Sequence, residues 1–144
     1  MSCNDFVVLH YSNETMKKGL FILLFLTSQA VLAFEDSLAI VKSKNDSIVE
    51  MAYSQKGITY KWGGESPAGY DCSGFVKYCY DHVNIYLPHS SKGMEKYGKE
   101  IDLERALPGD VILFSGTDKN KSRIGHVGVV SKIENNELFF IHSS

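Results

Sequence analysis

Thr59-Tyr60-Lys61-Trp62-Gly63-Gly64-Glu65-Ser66-Pro67-Ala68-Gly69-Tyr70-Asp71-Cys72-Ser73-Gly74-Phe75-Val76-Lys77-Tyr78-Cys79-Tyr80-Asp81-His82-Val83 is the stretch on which the reading of this chain turns. Glycine and proline punctuate a loop from Gly63 to Gly69. After Asp71 the pattern changes to helix period, with Cys72, Phe75, Val76, Cys79 and Val83 on one stripe and Lys77 and Asp81 on the watered side. Cys72 falls in the helix's first turn, where unpaired backbone N–H groups and the macrodipole favour an anion, so its thiol is expected to ionise more readily than a free cysteine. Two readings of Cys72 stand level on this stretch alone: a nucleophile, or a small buried hydrophobe.

Composition narrows the classes. The chain has 144 residues, 44% of them hydrophobic, and a formal net charge of −2, which suits one α/β or α+β domain. Without a basic excess, nucleic acid is not an expected partner, because phosphate binding needs clustered Lys and Arg.

The first third has another character. Lys17 and Lys18 precede an apolar run, Gly19 to Leu26, and then a small-residue region, Thr27 to Ala33, where Ser28-Gln29-Ala30 or Val31-Leu32-Ala33 suits cleavage. This is the pattern of a secretory signal peptide over residues 16–33, too short for a stable membrane span and followed by no lipid-acceptor cysteine. Residues 1–15 then read as an upstream extension and 34–45 as a short linker, with the catalytic domain over 46–144. Export predicts a periplasmic or extracellular protein with no stable membrane anchor. Cys3 leaves with the leader. Cys72 and Cys79, seven helical residues apart, are separated by about 10 Å, beyond disulfide reach. A thiol kept free in an oxidising space favours function for Cys72, while Cys79 reads as core.

Along the rest of the domain, Ser47-Ile48-Val49-Glu50 suggests a capping box opening a helix through Tyr53, stopped by Gly57. Leu87 to Gly109 reads as an irregular or short-helical connection ending in a Leu107-Pro108-Gly109-Asp110 turn. Val111–Phe114, His126–Ile133 and Glu137–His142 read as strands, the last two a hairpin around Asn135 and Asn136. The last strand shows no partner beyond it, and the C-terminus reads as incomplete. His10, His82 and His89 read as surface residues.

Cysteine catalysis needs a base and a group that holds the base, and the hairpin offers His126 and His142. A three-residue loop, 134–136, sets His142 opposite Gly128 and puts both imidazoles on one face as diagonal neighbours roughly 7 Å apart. A two-residue turn shifts the register by one and sends them to opposite faces.

Tyr60-Lys61-Trp62-Gly63-Gly64, Tyr70 to Phe75, Leu87-Pro88, Pro108-Gly109-Asp110, Gly125-His126-Val127-Gly128 and Phe140-Ile141-His142, in this order, resemble the successive motifs of the NlpC/P60 family of cell-wall cysteine peptidases. The resemblance runs from about Ser47 to the end. It implies a papain-like α+β fold, N-terminal helices packed on a central antiparallel sheet, and hydrolysis of peptidoglycan stem peptides, commonly between D-glutamate and the diamino acid after it. It implies Cys72 as nucleophile, His126 as base and His142 as its orienting partner, with Tyr60 aiding the oxyanion and Asp71 and Ser73 at the substrate, where in some relatives they recognise a free amine. No cofactor or metal is expected, although Cys72, His126 and His142 are residue types that suit zinc. Asp71 also suits an N-cap; Trp62 is read as packing, and Gly63 and Gly64 as allowing close backbone approach or positive φ. His89 and Met94 depart from the arginine and glutamine frequent in relatives. An amidase or transacylase on the same fold, or a module that binds stem peptides without cutting them, are the alternatives.

Overall fold

Short strands are stable only when their edges are paired or covered, and the main sheet achieves this with a segment from far ahead of the domain. The computed structural model describes residues 6–11, 44–115, 124–135 and 137–144. In chain order these form strand β1 (Phe6–His10), helix α1 (44–54), strands β2 (Glu65–Ser66) and β3 (Gly69–Tyr70), helix α2 (Cys72–Asp81), the short helix α3 (Ser91–Met94), β4 (Lys99–Ile101), a 3-10 turn (Leu103–Arg105), β5 (Val111–Ser115), β6 (Ile124–Glu134) and β7 (Glu137–Ile141). Five strands make one antiparallel sheet in the order β4-β1-β5-β6-β7, and β2 with β3 makes a small separate hairpin. The α+β expectation holds. The signal-like residues 16–33 and Cys3 lie outside the described residues.

One core joins helices and sheet. Ile48 and Ala52 of α1 and Phe75, Val76, Cys79 and Tyr80 of α2 pack with Val111 and Leu113 of β5 and Val127 and Val129 of β6. On β5 and β6 these are alternate residues, as one buried sheet face requires. Cys79 is fully buried, and burial pushes its thiol up to about 12, so it is a packing residue. Among the described residues no helix is long and apolar enough to cross a membrane.

Three sequence expectations are corrected. The domain does not begin at residue 46: β1, from the stretch set aside as an upstream extension, pairs with β4 on one edge and β5 on the other, and Val8 and Leu9 are each 2% exposed. Its pairing partners lie beyond residue 98, so no local pattern announced them. Helix α1 is already helical at 44, which puts Ser47 and Glu50 inside it rather than at its cap; Gly57, at φ 87°, still follows its end. The connection after Leu87 contains β4, an edge strand.

His10, expected at the surface, closes β1 against the turn before β5. Its Nδ1 lies 2.8 Å from Oδ1 of Asp110, which is 2% exposed and accepts the Leu107 N–H on its other oxygen at 2.7 Å. The Asp110 hydrogen bond raises the His10 pKa above 6.5 despite partial burial. A raised folded-state pKa gives stability that is full below pH 6.5 and is lost as pH rises through the folded value. The thermal midpoint of the chain should therefore fall by roughly a few degrees as pH is raised from 6 to 9. His10→Gln should flatten that slope. A slope unchanged by the substitution would exclude this pair as its source.

Candidate active site

Asp71 builds the start of α2. Its backbone is extended (φ −86°, ψ 177°), and its Oδ1 accepts the Gly74 N–H at 2.7 Å, the third N–H of the helix, as an N-cap should. The loop before it is pinned to the same residue. Gly63 N–H donates to Asp71 Oδ2 at 3.0 Å, and the Asp71 N–H donates to the Gly64 carbonyl at 2.9 Å. Gly63 has φ 67°, and a Cβ on Gly64 would stand 2.2 Å from the Gly69 carbonyl oxygen, so both glycine expectations hold. Cys72, half-buried, is thus the first residue of a fixed helix.

The two histidines meet by a route that the sequence reading did not contain. The hairpin turn has two residues: Glu134 pairs with Glu137, Ile133 with Leu138 and Lys132 with Phe139. That register sends His126 and His142 to opposite faces. A β-bulge at Ser131 then adds one unpaired residue to β6, after which Val130 pairs with Phe140 and Val129 with Ile141. The sum of paired numbers returns to that of a three-residue loop, and His142 falls beside Gly128. Nε2 of His126 is 3.0 Å from Nδ1 of His142, with ring centroids 4.9 Å apart. Phe114 and Phe140 flank the pair.

Cys72 meets β6 at its backbone. Val127, next to His126, offers its N–H to the sulfur, and just past the end of β7 the Ser143 hydroxyl donates to the Tyr70 carbonyl at 2.9 Å. α2 packs on Val127 and Val129, which alternate with His126 along β6. Among the described residues no hydrogen bond joins Cys72 to either histidine. Electrostatics reverse the ionisation expectation. Burial raises the Cys72 pKa above 9.0 and the Asp71 carboxylate raises it further, outweighing the N–H groups of Ser73, Val127 and Cys72 itself. Burial first, and then His142, lowers His126 below 6.5; burial lowers His142. At neutral pH the site holds a thiol and two neutral imidazoles.

The remaining candidates lie around Cys72. Tyr60 is 38% exposed and its pKa is raised, first by desolvation and then by Cys72 and Asp71, so it remains a neutral O–H donor beside them. The Ser73 hydroxyl is turned to Asp71 at 3.0 Å. Trp62 does not pack: it is 87% exposed. His89 is not an idle surface residue, since its Nε2 stands 3.0 Å from both Asp71 oxygens. Only its place after Leu87-Pro88 could have marked it.

Two outcomes follow. Deleting Ser131 takes out the unpaired residue and leaves the pairs on either side unchanged, so His142 should stay beside Gly128 with activity largely kept, whereas inserting one glycine between Phe140 and Ile141 should turn His142 to the other face and cost activity on the order of 10³-fold; full activity in the insertion variant with the fold intact would refute the register argument. With His126 as the proposed base, the acid limb of kcat/KM should have its midpoint below pH 6.5, and alkylation of Cys72 by iodoacetamide should keep accelerating past pH 9. A thiol titrating below pH 7 in the free protein would contradict the neutral pair.

Residues 57–144 match the NlpC/P60 family. The chain is 35% identical over 111 residues to the probable endopeptidase NlpC of Escherichia coli, covering 76% of this chain and 65% of that protein. It is 34% identical over 85 residues to the bifunctional muramidase/DL-endopeptidase CwlT of Bacillus subtilis, covering 58% of this chain and 26% of that one. Among solved structures, the NlpC/p60 domain of the peptidoglycan hydrolase SagA superposes with a TM-score of 0.52 at 35% identity, over 59% of this chain and 70% of that domain. The chain spans less than two thirds of the length of the curated relatives it matches. With the match covering more than half of its length, and with the helix, sheet and paired histidines above, the chain belongs to the NlpC/P60 family.

Proposed function

We propose that the chain is an exported cysteine endopeptidase that hydrolyses peptidoglycan stem peptides, at the bond between D-glutamate and the following diamino acid. The observation that carries this reading is the 3.0 Å contact between His126 Nε2 and His142 Nδ1 beside a cysteine at a helix N-terminus. The similarity to CwlT, a DL-endopeptidase, and to SagA, a peptidoglycan hydrolase, supports the substrate and the bond. The leader-like residues 16–33 and the family's cell-wall chemistry support a periplasmic or extracellular site of action, without a cofactor.

The roles follow from proton bookkeeping. For His126 to take a proton at Nδ1, its Nε2 must carry hydrogen, and a donation from Nε2 to His142 Nδ1 selects that tautomer. His142 therefore positions the base. As the Cys72 sulfur bonds to the scissile carbonyl carbon, the thiol proton passes to His126, and the carbonyl electron pair moves to oxygen. The Cys72 N–H and the Tyr60 hydroxyl receive that oxyanion. His126 then protonates the departing amine, the C–N bond breaks, and a thioester remains. Water adds to it, giving its proton to His126, and the sulfur leaves with that proton restored. A neutral resting pair suits this sequence, because the charge is created only as the bond forms, inside a half-buried site where it can be held.

Cys72→Ala should abolish cleavage of purified muropeptides while circular dichroism and thermal midpoint stay near those of the parent. Mass spectrometry of the products names the bond. Undiminished hydrolysis by the variant would overturn the assignment, and products cut at the lactyl amide would replace the endopeptidase with an amidase.

A further inference from the structure

One peptide unit, Tyr70–Asp71, joins three parts of the candidate site. Its N–H donates to the Gly64 carbonyl at 2.9 Å. Its oxygen, the Tyr70 carbonyl, accepts twice, from the Lys61 N–H and from the Ser143 hydroxyl, each at 2.9 Å. Lys61 follows Tyr60, Asp71 precedes Cys72, and Ser143 follows His142. Tyr70 itself is well held. Its side chain is buried, its ring lies 6.0 Å from that of Phe75 and 5.3 Å from that of Tyr78, and its hydroxyl donates to Gln55 Oε1 at 2.9 Å. The carbonyl is therefore a fixed acceptor at the entrance to α2.

Ser143 reaches that acceptor from the histidine side. The β6–β7 ladder ends at the pair Val129–Ile141, so His142 stands one residue past the last paired position. On one side the ladder holds it. On the other is Ser143, buried, with its hydroxyl committed to the Tyr70 carbonyl. Losing this bond would not orphan the carbonyl, because the Lys61 N–H remains, so its share in overall stability is modest. Its geometric share is larger: it ties the backbone that carries His142 to the peptide that leads into Cys72. The Val127 N–H to the Cys72 sulfur also links α2 to the sheet, but from β6 and not from β7.

Resting on the peptidase reading, we infer that Ser143 is a positioning residue for the reaction: its hydroxyl fixes the end of β7, and with it His142, against the start of α2, so that His142 can hold His126 in register with Cys72. The hydroxyl proton is spent on the carbonyl, and Ser143 moves no proton in the chemistry. Without the bond, the residues past Ile141 would be restrained by the ladder alone, and the 3.0 Å contact between His126 and His142 would loosen. His126 would then keep the lowering of its pKa that burial causes and lose the part that His142 adds.

The test compares the full chain with Ser143→Ala on purified muropeptides, and titrates isotope-labelled histidine rings of both by NMR, with His126→Gln to assign the signal. The substitution should lower kcat about tenfold and leave KM nearly unchanged, because alignment and not binding is lost. The His126 titration should move upward toward 6.5. Ser143→Thr and Ser143→Val separate the hydroxyl from the shape, since the two side chains have nearly the same outline. Threonine should bring kcat to within about twofold of the parent and valine should not; this pair decides the matter if the alanine variant does not fold. An unchanged kcat, a loss carried by KM, equal behaviour of the threonine and valine variants, or an unmoved His126 titration would each overturn the inference. A parent chain that cuts no muropeptide would overturn the peptidase reading instead, and the NMR titrations of the same variants would still decide whether Ser143 sets the histidine pair.

Discussion

A strand has two faces, and one residue more or less decides on which of them a side chain appears. The whole site hangs on that parity. The two-residue turn at the β6–β7 hairpin has the wrong parity for a histidine pair, and the bulge at Ser131 corrects it before His142 is reached. Once the rings share a face, their 3.0 Å contact couples the two tautomers, since one nitrogen must donate and the other accept. A bulge is a small local irregularity, but here it joins backbone geometry to proton transfer. Ser131 itself is buried and touches no chemistry.

Asp71 organises the other half of the site. One carboxylate caps the helix that carries Cys72, ties down the glycine loop in front of it, turns the Ser73 hydroxyl and holds His89. Its negative charge also raises the Cys72 pKa, opposing the helix terminus that it caps. The two effects pull in different directions, and burial decides between them in favour of the thiol. Geometry is therefore gained at the expense of Cys72 ionisation.

What the sequence disclosed was what is local or linear. The change to helix period after Asp71, the Pro108-Gly109-Asp110 turn, the core role of Cys79 and the family motifs are each written in neighbouring residues, and all are found as read. Contacts made across the fold were not readable. The β1 strand is five residues whose partners lie at the far end of the chain. Ser131 looks like any strand residue, and its effect cancels that of the two-residue turn, which alone would set the histidines on opposite faces. His89 acquires its meaning only from the position of Asp71. The Cys72 pKa was misread because a helix terminus shows in sequence, whereas desolvation does not.

The strand β1 lies between β4 and β5 and is paired along both edges, so β4 belongs to the sheet only through it. Nothing in those ladders records which chain supplies the strand. Its occupancy of the slot is set by an effective concentration, and the tether between β1 and α1 provides it. The leader-like segment lies in that tether. Severing it would turn an intramolecular strand into a ligand, exchangeable with the same strand of a neighbouring copy, and would make the stability of the sheet depend on protein concentration.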